Sequence, residues 1–186
     1  MSQSFRIRAE MKDLYTLDDL DNNFRRMLSE KVGGKSLLGC IQCGVCSSGC
    51  TVSEYIDLQP HRMVASCLLG LKDLVLNSNA VFICSLCNKC TERCPKHVDY
   101  SFLLAILRNL AVERGRAPPA YIQVLRNMNS TGLAIPLSGP SVARRREKLG
   151  IPKIPNQNAE QIRKIIELTG IGYLLKPEEK KGGVKK

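Results

Sequence analysis

Eight of the nine cysteines fall into two blocks of identical internal spacing, Cys40-x2-Cys43-x2-Cys46-x3-Cys50 and Cys84-x2-Cys87-x2-Cys90-x3-Cys94, and only Cys67 stands apart. Three thiolates at two-residue steps followed by a fourth is the run that holds a [4Fe-4S] cube in two-cluster proteins, where the fourth cysteine of each run closes the other cluster. The spacing therefore predicts two cubes lying close together. Cys40, Cys43, Cys46 and Cys94 would hold the first, and Cys84, Cys87, Cys90 and Cys50 the second. Pro95 follows Cys94 as such a run expects, a structural residue that turns the chain away from the cluster. Thr51 takes that place in the first block, which weakens the turn there and touches no ligand.

Zinc ribbons or knuckles are the competing reading, because each block could supply four thiolates by itself. The third cysteine at another two-residue step is characteristic of the cubane run and uncommon in zinc modules, which favours the clusters. A disulfide framework fits less well: no secretory signal is legible ahead of the cysteines, and thiols in a reducing cytoplasm stay reduced or bind metal. A cytoplasmic location is the expectation.

At 186 residues the chain is long enough for one domain, or for a small core with long arms. Its formal charge is +11, and two oxidised clusters with their thiolates would lower this to about +7. Nucleic acid is excluded as the expected partner. The arginine run Arg144, Arg145, Arg146 has no aromatic near it and there is no Trp at all, so a base-stacking surface is missing and a solvated helix face is the plainer account. No apolar stretch is long enough to span a bilayer.

Leu17, Leu20, Phe24, Met27 and Leu28 recur at helical spacing behind a capping-box pair, Thr16 and Asp19, and predict one amphipathic helix ahead of a loose segment at Val32 to Lys35. Between the blocks, Pro60 suits a first helical turn and Val64, Cys67, Leu68, Leu71 and Val75 continue the periodicity. Asp99 is the expected cap of a helix turning Phe102, Leu103, Ile106, Leu107 and Leu110 inward and ending at Gly115. Further on, Pro118 and Pro119 precede a short helix through Tyr121, Leu125 and Met128, and Gly132, Pro136, Gly139 and Pro140 mark a loop. Ser141 is the expected cap of the arginine helix, and Asn158 with Gln161 that of a last helix through Ile162, Ile165 and Ile166. Lys176 to Lys186 reads as a mobile tail.

The fold class expected is mainly α: a helical ferredoxin core with helical arms at both ends. Its boundaries are an amino-terminal arm at 1–35, the two-cluster domain at 36–116, a docking arm at 117–175 and the tail at 176–186. Cys67 lies on an apolar stripe and reads as structural. His97 could face a cluster or solvent, and His61 carries no ligand spacing. No nucleophile–base pair, phosphate loop or dinucleotide fingerprint is present, so no substrate site is expected on this chain.

The run GCIQCGVCSSGC at Gly39 to Cys50, the connector YIDLQPHRMVASCLLGLKDLVL and ICSLCNKCTERCPKHVDY at Ile83 to Tyr100 together resemble the small iron–sulfur subunit, the C subunit, of archaeal heterodisulfide reductase. The resemblance implies a multi-subunit cytosolic oxidoreductase of methanogenesis. In it, the A subunit holds flavin and further clusters, and the B subunit is the catalytic one, which reduces the disulfide of coenzymes M and B. The C subunit would pass single electrons between them, and hydrogenase or formate dehydrogenase could feed the assembly. A related relay subunit of a bacterial heterodisulfide-reductase-like or dehydrogenase complex is the alternative. Adjacent cysteines mark the family's catalytic subunit, and this chain has no Cys-Cys pair.

Overall fold

The computed structural model describes residues 14–31, 33–135, 139–152 and 159–175. The fold is mainly helical, with no strand among the described residues. It divides into two compact units at the step from Arg116 to Ala117. None of the helices in the described residues is long and apolar enough to cross a membrane.

The predicted amino-terminal helix is split. The Asp19 carboxylate accepts from the Thr16 amide at 2.9 Å, closing only a 3-10 turn, Leu17–Asp19, after which Leu20 is extended. Helix α1, Asn22–Glu30, starts afresh behind Asp21, whose carboxylate accepts from the Asn23 amide at 3.0 Å. Leu17 is 85% exposed, whereas Phe24 and Leu28, four apart on one face of α1, are fully buried. The stripe of α1 is therefore core, and it is not free to dock a partner.

Behind α1 the chain needs glycine. Gly33 adopts a left-handed φ of 75°, and a side chain at Gly34 would lie 1.8 Å from the Leu28 carbonyl oxygen. That close backbone approach starts a 3-10 turn, Gly34–Gly39, which buries Leu37 and delivers Cys40.

The connector between the cysteine blocks forms two helices where the periodicity suggests one, α3 at Pro60–Leu69 and α4 at Lys72–Asn77. Gly70 makes the break: its φ is 81°, and the Leu71 amide reaches back to the Ser66 carbonyl at 2.9 Å. The apolar spacing survives because α3 packs on α1 while α4 packs on the long helix α7, Tyr100–Glu113. Asp57 ties the start of the connector to its end, ahead of the short helix α5, Ala80–Ile83, accepting from the Ser78 hydroxyl and from the Asn79 amide at 3.1 Å.

Asp99 caps α7 as predicted, accepting from the Phe102 amide at 3.1 Å, and Gly115 follows its end with φ 77°. The inward set differs in one respect. Leu103, Leu104, Ile106 and Leu107 are buried, whereas Phe102 is 40% exposed and lays its ring over Gly33. Helix α7 meets α4, α5 and the 3-10 turn before Cys40, so its buried face is wider than one stripe.

Cys67 is fully buried in this core, and burial pushes its thiol pKa well up. It is placed as a small hydrophobe. Cys67→Ala is expected to leave iron binding unchanged and to cost about 1 kcal/mol, like loss of one buried methyl group. Iron content and the denaturation midpoint check this, and a fall in iron would make Cys67 more than packing.

The second unit contains α8 at Pro119–Thr131, α9 at Pro140–Lys148 and α10 at Ala159–Leu168, with a final 3-10 turn, Ile171–Leu175. Proline opens α8 and α9, where a missing N–H costs nothing. Gly139, and not Ser141, holds the cap position of α9. Helices α8 and α10 pack on each other and on the last turn, with Ile166 buried. The predictions made for residues 1–13, Val32, Pro136, the Asn158 cap and the tail Lys176 to Lys186 fall outside the described residues.

Candidate metal centre

The two cysteine blocks share a backbone path. In each, the residue before the second cysteine and the one after it have positive φ: Gln42 at 56° and Gly44 at 77°, then Leu86 at 52° and Asn88 at 60°. A short helix follows each, α2 at Val45–Ser48 and α6 at Lys89–Glu92, and these two pack together. A left-handed leucine costs about 1–3 kcal/mol and persists where the surroundings over-determine the chain, as functional sites do. The curl turns donors onto sulfur. The Leu86 amide donates to Cys84 Sγ at 3.4 Å, and the Gln42 side-chain amide to Cys40 Sγ at 3.2 Å.

Packing α2 against α6 brings cysteines of both blocks to one cavity of about 430 Å³, its open mouth included, lined by Cys40, Cys43 and Cys46 of the first block and by Cys90 and Cys94 of the second. Apolar side chains make much of the wall, among them Ile41, Val45, Val64 and Val98. Pro95 lines it too. The turn there carries the Val98 amide to Cys94 Sγ at 3.3 Å, with His97 exposed at φ 52°.

The remaining cysteines gather about Cys84. Burial raises its thiol pKa, and the charges of Cys50 and Cys87 raise it further, while the Leu86 amide and the Arg108 guanidinium pull it back. Burial likewise raises Cys46 and pushes Cys90 up to about 11. Cys87 is exposed and behaves oppositely: the Lys89 amide and the Thr51 hydroxyl, 3.8 Å from its sulfur, hold it low. Thr51, which replaces the proline of the second block, thus still sits in a turn and adds a donor. Tyr100 is buried between the groups, lining the first cavity and facing the charges of Cys84, Cys90 and Cys50.

The donor set is thiol sulfur throughout, in a largely apolar setting, which suits soft iron–sulfur chemistry. Among the described residues no three His, Cys, Asp or Glu side chains converge as closely as one metal ion requires. Thiolates of a cube sit on four separate irons, so a wider ring of sulfurs fits the cluster better than a single ion. Sequence reasoning missed two further features. Ser47 Oγ pairs with His61 Nδ1 at 2.6 Å beside the first cavity, and Arg108 reaches the Cys84 carbonyl at 2.8 Å. Neither partner lies at a motif distance, so no spacing could have shown them.

The 4Fe-4S dicluster domain family matches residues 39–99, which enclose both blocks. The C subunit of the H(2):CoB-CoM heterodisulfide,ferredoxin reductase of Methanothermobacter thermautotrophicus is 29% identical, over 82% of this chain and 87% of that protein. The C subunit of the ferredoxin/F(420)H(2)-dependent CoB-CoM heterodisulfide reductase of Methanosarcina acetivorans is 31% identical, over 78% of this chain and 88% of that protein. The chain belongs to the family of heterodisulfide reductase C subunits. These proteins are iron–sulfur, electron-transfer components of a multi-subunit oxidoreductase. Cys40, Cys43 and Cys46 line a cavity whose wall is largely apolar.

Proposed function

We propose that this chain relays single electrons through two [4Fe-4S] clusters, from a flavin-bearing A subunit to the catalytic B subunit that reduces the heterodisulfide of coenzymes M and B in the cytoplasm. Cys40, Cys43, Cys46 and Cys94 would hold the first cluster, and Cys84, Cys87, Cys90 and Cys50 the second. The observation that carries this reading is the cavity that joins three cysteines of the first block to Cys94 and Cys90 of the second. The clusters, when bound, supply one-electron chemistry. The chain's own part is to hold them, to aim the amides of Leu86 and Val98 at sulfur, and to wall the first site with the buried Val64 and Val98.

Burial raises the pKa of the Cys46, Cys84 and Cys90 thiols, so these groups give up protons as iron binds. The chain itself carries no substrate chemistry in this reading, and residues 117–175 serve partner docking. Anaerobically prepared protein is expected to contain about eight iron and eight acid-labile sulfide per chain, as two cubes require. Zinc without sulfide would overturn the cluster assignment. Co-purification with dehydrogenase subunits in place of a disulfide-reducing partner would move the chain to a different oxidoreductase.

A further inference from the structure

Helix α7 carries one arginine on its inner side. The guanidinium of Arg108 donates from Nε to the Val81 carbonyl at 2.9 Å and from Nη2 to the Cys84 carbonyl at 2.8 Å. Two donors of one planar fork, engaged on two carbonyls close together along the chain, fix both the position and the orientation of the charge. Arg108 is only partly exposed, and it pairs with no carboxylate among the described residues. A cation held in this way is unneutralised by the protein and poorly screened by salt.

We infer that Arg108 tunes the second cluster, raising its reduction potential relative to the first and so biasing a shared electron toward the Cys84 side of the relay. The inference rests on the ligand sets proposed above. A cluster gains one negative charge when it is reduced, so a fixed cation on the backbone of one of its ligands favours the reduced form. Burial and hydrogen bonds around the sulfurs set such potentials, and a charge is the longest-ranged of these influences. The other cations near the cluster sites act less. Lys96 lines the first cavity, Arg93 lies against Gly49 beside Cys50, and Lys89 follows Cys87, but all three are exposed, where water and salt screen them. The fixed charge thus favours the second site.

Arg108 touches no sulfur in the structure, and its role is that of a positioning and tuning residue. The test is a redox titration of the full chain, followed by electron paramagnetic resonance, after iron and sulfide analysis has shown that both clusters are present. A wild-type chain that lacks two clusters counts against the cluster reading itself and not against Arg108. In loaded Arg108→Gln protein, one centre should become at least tenfold harder to reduce at fixed potential, about 59 mV for a one-electron couple, while the other stays in place. Arg108→Lys should keep most of the wild-type value. Arg108→Met removes charge and donors together and gives a second reading if the first variant loads poorly. Equal shifts of both centres, or none, overturn the proposal. So does failure of both neutral variants to take up the second cluster while Arg108→Lys takes it up, since that pattern marks a purely structural role.

Discussion

Cys50→Ala should remove the cluster held by the other block and spare its own. Cys50 belongs by sequence with Cys40, Cys43 and Cys46, yet its charge acts on Cys84. The next residue, Thr51, places its hydroxyl 3.8 Å from Cys87 Sγ. Cys94, conversely, lines the cavity of the first block. Loss of one thiolate from a cube leaves an iron without its protein ligand, so iron content should fall by about half. The decisive measurement is which cluster remains. The spectrum of the residual cluster in Cys50→Ala should match that in Cys84→Ala and differ from that in Cys40→Ala. A match to Cys40→Ala would mean that each block closes its own cluster and that the crossing is wrong.

The dicluster domain was legible in the sequence because ligand chemistry leaves a mark in residue type and spacing. Helix ends marked by a special backbone geometry were legible for a related reason: Asp99 caps α7 as expected, and Gly115 and Gly132 adopt left-handed φ just past helix ends. Periodicity alone was less informative. It ran unbroken from Val64 to Val75 while the chain turned at Gly70, since two helices packed on different neighbours can continue one apolar spacing. It also placed Phe102 inward where Leu104 is, because α7 is covered on several sides and its buried face is no longer a single stripe. Arg108 was invisible for a further reason. A lone arginine on an apolar helix looks like a solvent residue until the carbonyls of Val81 and Cys84, 27 and 24 positions away, are seen to meet it. The sharing of positive φ by Gln42 and Leu86 was likewise hidden, since neither residue type favours that region.

The other large effect concerns the second unit. A chain ending at Arg116 is expected to keep both clusters and to lose its place in the complex. All nine cysteines precede that point, and the core cluster is drawn wholly from residues between Phe24 and Ala111. The second unit, from Ala117 onward, has no metal-binding side chain of the thiol kind, and its described residues bury little of their own apolar surface. On α10, Ile166 is buried while Ile165 and Leu168 are 55% and 77% exposed, and just past α9 Leu149 is 67% exposed. A helix as short as α10 gains little from propensity alone, so apolar positions left in water favour burial against another protein. The exposed arginines of α9, Arg144 and Arg145, would add attraction to an acidic surface and discriminate against a basic one. The docking strength is then expected to reside in residues 117–175, whereas α1 contributes Phe24 and Leu28 to the core. Iron and sulfide analysis of the shortened chain, with co-elution and electron transfer measured on mixing with the partner subunits, tests both halves of the expectation. Full assembly and transfer by the shortened chain would show the second unit to be dispensable. Loss of clusters would show that it supports the metal sites and would remove the case for a separate docking arm.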